Sequence, residues 1–479
     1  LLLIIVARPV CHLVQTARND RNELTPSPAG TINDASRLNE TRVTNIWKIP
    51  EQPEAAEKQL AVLLQIARTN HLKVSIAGAR HSMGGHVIYP DGLVIDMLPF
   101  NRMELDETNR ILHVQAGARW REIIPFLNAR GLSVEVMQSN DDFSVGGSLS
   151  VNCHGWQFNR PPIASTVESF RLMLADGKTV ACSRHENQEL FSLVLGGYGL
   201  FGIILDAELR VVPNEKYRIE RLPVTSAGYV KALTEQTAQS SDVTMIYGRL
   251  RVTANNFLQE GIINVFHRLS PTNRLVSTLN ESKNHSLERA IFRGGAGNDY
   301  GKELRWTAER YCSSVLSGDI FDRNTILFVP STWFQDRSTN TTDILVECFV
   351  PPEQFELLLG ELRTIIPQNQ ADLLNVTVRD INQDDDTFLH YADKDMISLV
   401  MLFSQKRDAA GEGKMSKLTQ EIVAATLRHD GRYYLPYRLH ATLEQFNAAY
   451  PQAKRFFELK KKYDSDELFQ NEFYLKYGK

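Results

Sequence analysis

The chain has 479 residues, a net charge of −4, and 43% hydrophobic against 23% charged residues. That length supports two or three cores rather than one, and the weakly acidic balance argues against a nucleic-acid-binding surface, which is usually basic. Five scattered cysteines without a CxxC pair exclude a disulfide scaffold and a zinc ribbon, and twelve histidines without HExxH spacing give no support to a metal centre.

The apolar start, residues 1–7, is too short to span a bilayer. It reads as the remnant of a signal peptide or membrane anchor, or equally as a start-site artefact in a cytoplasmic protein. Residues 22–45 form an extended polar loop. A helix is predicted over 52–70, with Pro53 in its first turn and Leu60, Leu63 and Leu64 on its apolar face. Strands follow at 72–77, 93–97 and 111–116, then a helix at 120–129 that Gly131 ends. Further strands at 167–174 and 179–183 flank the Asp176-Gly177 turn, and a long strand ends at Pro213. This order describes an α+β domain with a small sheet. Beyond 216, strands at 245–252, 261–266, 326–330, 342–350, 374–381 and 396–403 alternate with helices at 352–366 and 415–427. That pattern predicts an antiparallel sheet with helices on one face. Residues 270–299 read as a loop or lid. A last helix at 443–462 carries Lys460-Lys461-Lys462 on a solvated face.

Residues 74–88, VSIAGARHSMGGHVI, run from a strand into a tight loop with Gly78, Gly84, Gly85 and a central His81. Glycines let a backbone approach a ligand closely, and consecutive N–H groups in such a loop make a nest for a pyrophosphate. The phosphates do not require a histidine. A neutral imidazole is a competent nucleophile toward the 8α-methyl group of a flavin; the plainer alternative is a histidine bonded to the backbone. Two more glycine-rich turns follow, at 144–147 and 196–202. A flavin adenine dinucleotide site needs backbone donors, a flat slot for the ring and a donor near N1 and C2=O. The first loop supplies donors, and the other two close around the adenine and ribityl parts.

These blocks resemble the vanillyl-alcohol oxidase / p-cresol methylhydroxylase family of flavoproteins. The resemblance rests on AGARHSMGG (77–85), DFSVGGSLSVNCHG (142–155), ESFRLMLADGKTVACS (168–183) and GYGLFGIILDAELRVVP (197–213), in family order. It implies an α+β fold with an apolar stub and loop over 1–40 and a two-part FAD-binding domain over 41–215. A substrate domain over 216–430 has an antiparallel sheet flanked by helices, and a segment over 431–479 completes the active site and returns to the FAD-binding domain. It implies FAD as cofactor, covalently held through His81. Gly78, Ala79, Arg80, Ser82, Met83 and Gly84 surround that residue. Ser139, Asn140, Phe143, Ser144, Gly146 and Gly147 come from the second block, with Asn152 and His154 as hydrogen-bonding partners. Gly202, Ile203 and Ile204 come from the fourth block. No cysteine stands before the VGG turn, where some members place a second link; Cys153 follows it and reads as a small packed residue, the alternative being a role in controlling oxygen access to the flavin.

The second half is similar to sugar-oxidising members, namely aldonolactone oxidases, alditol oxidase and decaprenylphosphoryl-ribose oxidase. The matching blocks are NVTVRDINQDDDTFLHYADKDMISLVM, GRYYLPYRLHATLEQFNAAYP and KKKYDSDELFQNEF. Thr377-Val378-Arg379 keeps the arginine of a Glu-x-Arg pair and lacks the glutamate. Arg438 replaces a lysine, keeping the charge without a neutral-amine base, and Val400 stands where alditol oxidase has a substrate histidine. Arg438 or Arg379 is expected to stabilise negative charge at the flavin or substrate oxygen, and His440, Tyr437 or Tyr434 to remove the hydroxyl proton. The expected activity is oxidation of a hydroxyl-bearing carbon in a sugar, polyol or lactone by hydride transfer to flavin N5, with dioxygen or another acceptor restoring the flavin. Competing readings are a flavin-dependent reductase of a carbon–carbon double bond and a flavin-binding module without turnover. The expected partners are a small-molecule substrate and an electron acceptor, with membrane association only through the N-terminal stub.

Overall fold

The computed structural model describes residues 2–20, 24, 26–238, 241–269, 278–279 and 285–479. Helix α1, Leu2–Asn19, takes up the apolar start, and Asp20 beyond it accepts from Arg289 at 2.7 Å. Among the described residues no helix is long and apolar enough to cross a membrane.

A two-stranded ribbon, β1 (Thr31–Ile32) with β2 (Thr41–Arg42), leads into a parallel sheet of β3 (Asn45–Lys48), β4 (Val74–Ala77) and β5 (Leu93–Asp96) in the order β3-β5-β4. Helix α2, Pro53–Thr69, is the crossover; Pro53 opens it where its missing N–H costs no bond, and Ala56, Leu60, Leu64 and Ala67 face the core. The second sheet is antiparallel: β6 (Met103–Asp106), β7 (Ile111–Gln115), β8 (Leu132–Val134), β9 (Val167–Met173), β10 (Thr179–Ser183) and β11 (Ile203–Pro213). Its order is β10-β9-β11-β7-β6, with β8 on the far end of β11. Gly177 takes φ +84° in the turn joining β9 to β10. Helices α3 (Trp120–Asn128) and α4 (Val145–Ser150) lie between these strands in sequence.

The third sheet has eight strands: β12 (Lys216–Thr225), β13 (Val243–Leu250), β14 (Glu260–Arg268), β15 (Ile320–Asp322), β16 (Thr341–Val350), β17 (Asp372–Ile381), β18 (Met396–Lys406) and β19 (Arg432–Tyr433). It is antiparallel, in the order β15-β12-β14-β13-β17-β18-β16-β19. Helix α5 (Asp299–Thr307) precedes β15. Helices α6 (Phe355–Gln368) and α7 (Ala409–Arg428) bury Leu358, Leu362, Leu418 and Ile422 in one core with Ile344, Val346 and Leu399 of the sheet. Helices α8 (Leu443–Ala449), α9 (Ala453–Tyr463) and α10 (Glu472–Tyr477) instead join the core of the first two sheets through Phe446, Phe456 and Phe473.

Several sequence expectations are corrected. Residues 323–327 form a helix rather than the start of a strand, because Asp322 caps it by accepting from the Thr325 amide at 3.1 Å. The strand Lys216–Thr225 was not expected, its alternation being interrupted by charge. The helix expected over 443–462 splits at residues 450–452, where Pro451 intervenes. Lys460 is fully buried and paired with Asp464, while Lys461 and Lys462 are exposed. Of the loop or lid expected over 270–299, residues 270–277 and 280–284 lie outside the described residues, and His285–Arg293 is helical.

Candidate functional site

A cavity of about 630 Å³ opens between the first two sheets and the third. The loop after β4 forms one wall. Arg80 takes the left-handed φ of +60° there, a conformation costly for a residue with a Cβ, and its guanidinium is held by Asp96 at 3.3 Å. The Ala35 amide reaches the carbonyls of Arg80 and Ser82 at 3.0 and 3.2 Å, turning those oxygens outward. Among the described residues, the amides of Arg80, His81 and Ser82 have no protein acceptor, and the buried Ser82 hydroxyl has no partner. A Cβ on Gly78 would lie 2.0 Å from Ser144 Oγ, and one on Gly146 would lie 2.9 Å from the Ala116 Cβ. Free amides in a loop packed this tightly on small residues fit a pyrophosphate.

His81 stacks on Phe143, ring centroids 4.1 Å apart, and its Nε2 lies 3.9 Å from Asp142 Oδ2. Asp142 is fixed by the Ser331 amide at 3.1 Å and hydroxyl at 2.7 Å. Burial lowers the His81 pKa more than Asp142 raises it, so the imidazole is neutral and nucleophilic.

At the opposite wall a carboxylate sits inside the third sheet. Glu347 on β16 accepts from the Ser398 hydroxyl at 2.5 Å and the Tyr437 hydroxyl at 3.1 Å, and it lies 2.7 Å from His154 Nε2. Burial alone would raise the Glu347 pKa, but His154, Arg379 and Ser398 outweigh it and hold the carboxyl below its ordinary range. Burial lowers His154 against the pull of Glu347. The pair is therefore an anion facing a neutral imidazole; Nε2 is held close to the carboxylate by distance rather than by a well-aligned hydrogen bond, and Nδ1 has no partner at all. Arg379 donates to Ser139 Oγ at 2.8 Å and to the His154 carbonyl at 3.2 Å.

Most expected site residues meet at this cavity. Gly78 through Met83, Ser139, Asn140, Phe143, Ser144, Gly146, Gly147, His154, Gly202, Ile204, Arg379, Tyr434 and Tyr437 line it. Gly84, Asn152 and Ile203 do not: Gly84 packs on the Tyr437 carbonyl, Asn152 is bound to Asp384 at 2.7 Å and to the Ala164 amide at 3.1 Å, and Ile203 is core. Arg438 and His440 are also placed elsewhere, which corrects their expected catalytic position. Arg438 donates to Asn39 at 2.6 Å and to the Met83 carbonyl at 2.9 Å behind the loop. Both side chains pair with Glu412 on α7. Burial would raise Glu412, but His440 and Arg438 bring it down to about 2. This network clamps the loop from outside. Sequence reasoning missed Glu347, and the one signal for it is a lone acid in the apolar run ILVECFV of β16. It also missed Asp142, which carries no local pattern.

A family model described as an FAD binding domain matches residues 53–183, the stretch that holds the amide nest, His81 and α4. The chain is 30% identical over 153 residues to L-gulonolactone oxidase of Mus musculus, covering 32% of this chain and 34% of that protein. It is 32% identical over 189 residues to cytokinin dehydrogenase 2 of Oryza sativa subsp. japonica, covering 37% and 34%. It is 27% identical over 191 residues to L-galactono-1,4-lactone dehydrogenase of Arabidopsis thaliana, covering 40% and 30%. The chain thus spans about a third of the length of these relatives.

Proposed function

We propose that this chain, with its FAD binding domain at residues 53–183, is an FAD-dependent oxidoreductase acting on a hydroxyl-bearing carbon of a sugar, polyol or lactone. The observation that carries the reading is the continuity of one cavity from the amide nest and His81 to His154, Tyr437 and Arg379. Two of the three relatives above bear lactone-oxidising names, which supports the substrate class. The sheets support a two-part FAD-binding domain ending near residue 215, a substrate domain over 216–430, and a C-terminal segment returning to the first.

Bound FAD would supply the two-electron acceptor, at flavin N5, for a hydride from the hydroxyl-bearing carbon, which would become a carbonyl as a base takes the hydroxyl proton. Dioxygen or another acceptor would restore the flavin. His81, neutral and stacked on Phe143, would hold the flavin through its 8α carbon: the 8α C–H and the imidazole N–H would each give up a proton, and the electron pair left on the flavin would pass to dioxygen or another acceptor. His154 takes the hydroxyl proton on Nδ1, since Glu347 holds its Nε2 and stabilises the imidazolium. Tyr437 orients Glu347 from the other side, and Arg379 faces negative charge developing at the flavin or substrate oxygen.

Anaerobic screening of alcohols, sugars and lactones tests this. The flavin absorption band bleaches with at least one hydroxyl substrate and returns in air or with an added acceptor. A protein that holds no flavin overturns the proposal, as does one bleached by NAD(P)H and by no hydroxyl compound.

A further inference from the structure

The end of the cavity on the third sheet is oversupplied with positive donors. Arg249 on β13 pairs in register with Thr377 on β17, so Arg249, Thr377 and Arg379 share one face of the sheet, and all three line the cavity. Arg249 donates to the Thr377 hydroxyl and lies 5.2 Å over the Tyr247 ring. Among the described residues no carboxylate is within ion-pair distance of Arg249 or Arg379. The Arg379 Nε is buried without a partner, and so is the indole N–H of Trp156, whose ring stacks on Tyr247 at 4.4 Å. Arg305, also lining the cavity, is already neutralised by Glu309 at 2.8 Å. Glu347 acts on Arg379 only at longer range. Burial lowers the Arg249 pKa, Tyr247 and Glu309 pull it back, and the like charges of Arg305 and Arg379 lower it again, so the one carboxylate of Glu309 is shared by Arg305 and, at longer range, Arg249.

We infer that this end of the cavity binds the carboxylate of an anionic substrate, a hydroxy acid or sugar acid rather than a neutral polyol. Guanidiniums half-buried at the wall of a cavity are costly to desolvate without a counter-charge, and a planar carboxylate matches their paired donors. The Trp156 indole adds a neutral donor. Val400 and Leu402 offer an apolar wall to the carbon chain. The inference rests on the oxidoreductase reading for what happens to the hydroxyl, but anion binding can be read without turnover.

The test titrates the flavin-loaded protein anaerobically with gluconate and with sorbitol, its neutral counterpart. Two readouts are followed: perturbation of the flavin spectrum at equilibrium, and the rate of bleaching. Gluconate is expected to bind at least about tenfold more tightly than sorbitol, the scale of one charge-assisted hydrogen bond. Arg249→Leu removes that preference while leaving sorbitol binding and the flavin spectrum unchanged, and Arg249→Lys restores part of it. Gluconate that perturbs the spectrum without bleaching it, with the effect lost in Arg249→Leu, supports the subsite while the oxidation reading fails. Equal binding of the two compounds overturns the subsite, as does a gluconate titration that Arg249→Leu does not move.

Discussion

His154 and Glu347 divide a proton-transfer task between two side chains with different surroundings. Burial keeps His154 neutral below the ordinary value of about 6.5, so a base at this position works above its pKa and is lost as pH falls through it. The rate is therefore expected to decline on an acidic limb whose midpoint lies below 6.5. Glu347→Gln keeps the shape and the Ser398 contact but removes the charge that raises His154, which moves the limb to lower pH. It also slows the chemical step by about 10²-fold or more, the usual worth of general-base catalysis. A limb that stays in place in Glu347→Gln sinks the assignment, because a purely structural carboxylate would change stability alone. His81 carries a separate prediction. After acid precipitation the wild-type pellet stays yellow, whereas His81→Ala releases its flavin into the supernatant; a colourless wild-type pellet refutes the link.

The loop after β4 works as an element because α4 presses against it. Gly78 has no room for a side chain, with Ser144 Oγ only 2.0 Å from an added Cβ, and that same hydroxyl accepts from the Ala79 amide at 3.3 Å. Gly78→Ala pushes Ser144 away and tilts the nest. Non-covalent FAD affinity, measured in a His81→Ala background, should fall at least about tenfold, or ~1.4 kcal/mol, with little change in apo-protein melting. Unchanged affinity removes the loop from the phosphate site. Such turns were legible in the sequence because a tight approach writes glycine into it directly. Glu347 was less legible, since one charge in a strand reads as an exposed ladder position until the neighbouring strands are placed. Arg438 and His440 were misplaced because their partner Glu412 lies 26 and 28 residues away on α7, a tertiary fact without local trace. The five-residue helix at 323–327 is too short for periodicity to report.

At the scale of the whole molecule, residues 464–479 close the nucleotide side by returning to the first sheet. Phe469 bridges Val74 on the free edge of β4, with amide bonds of 2.8 and 2.9 Å on either side. The buried Asn471 then ties two glycine loops together: its amide donates to the His86 carbonyl after the first loop and to the Tyr198 carbonyl in the third, both at 2.9 Å. Its Oδ1 accepts from the Tyr474 amide and caps α10. Both carbonyls lose their donor in Asn471→Asp, while the cap survives. Leaving buried acceptors unpaired costs about 1–3 kcal/mol each, and the introduced charge is unpaired as well. Asn471→Asp is therefore expected to lower the flavin content of the purified protein and to reduce the melting temperature of the flavin-loaded form more than that of the apo form. Asn471→Ala adds loss of the cap, worth about 1 kcal/mol, which lowers both forms. Full flavin content in Asn471→Asp would mean the two loops hold their spacing without the C-terminal tie, and the nucleotide side would then be complete in the first two sheets alone.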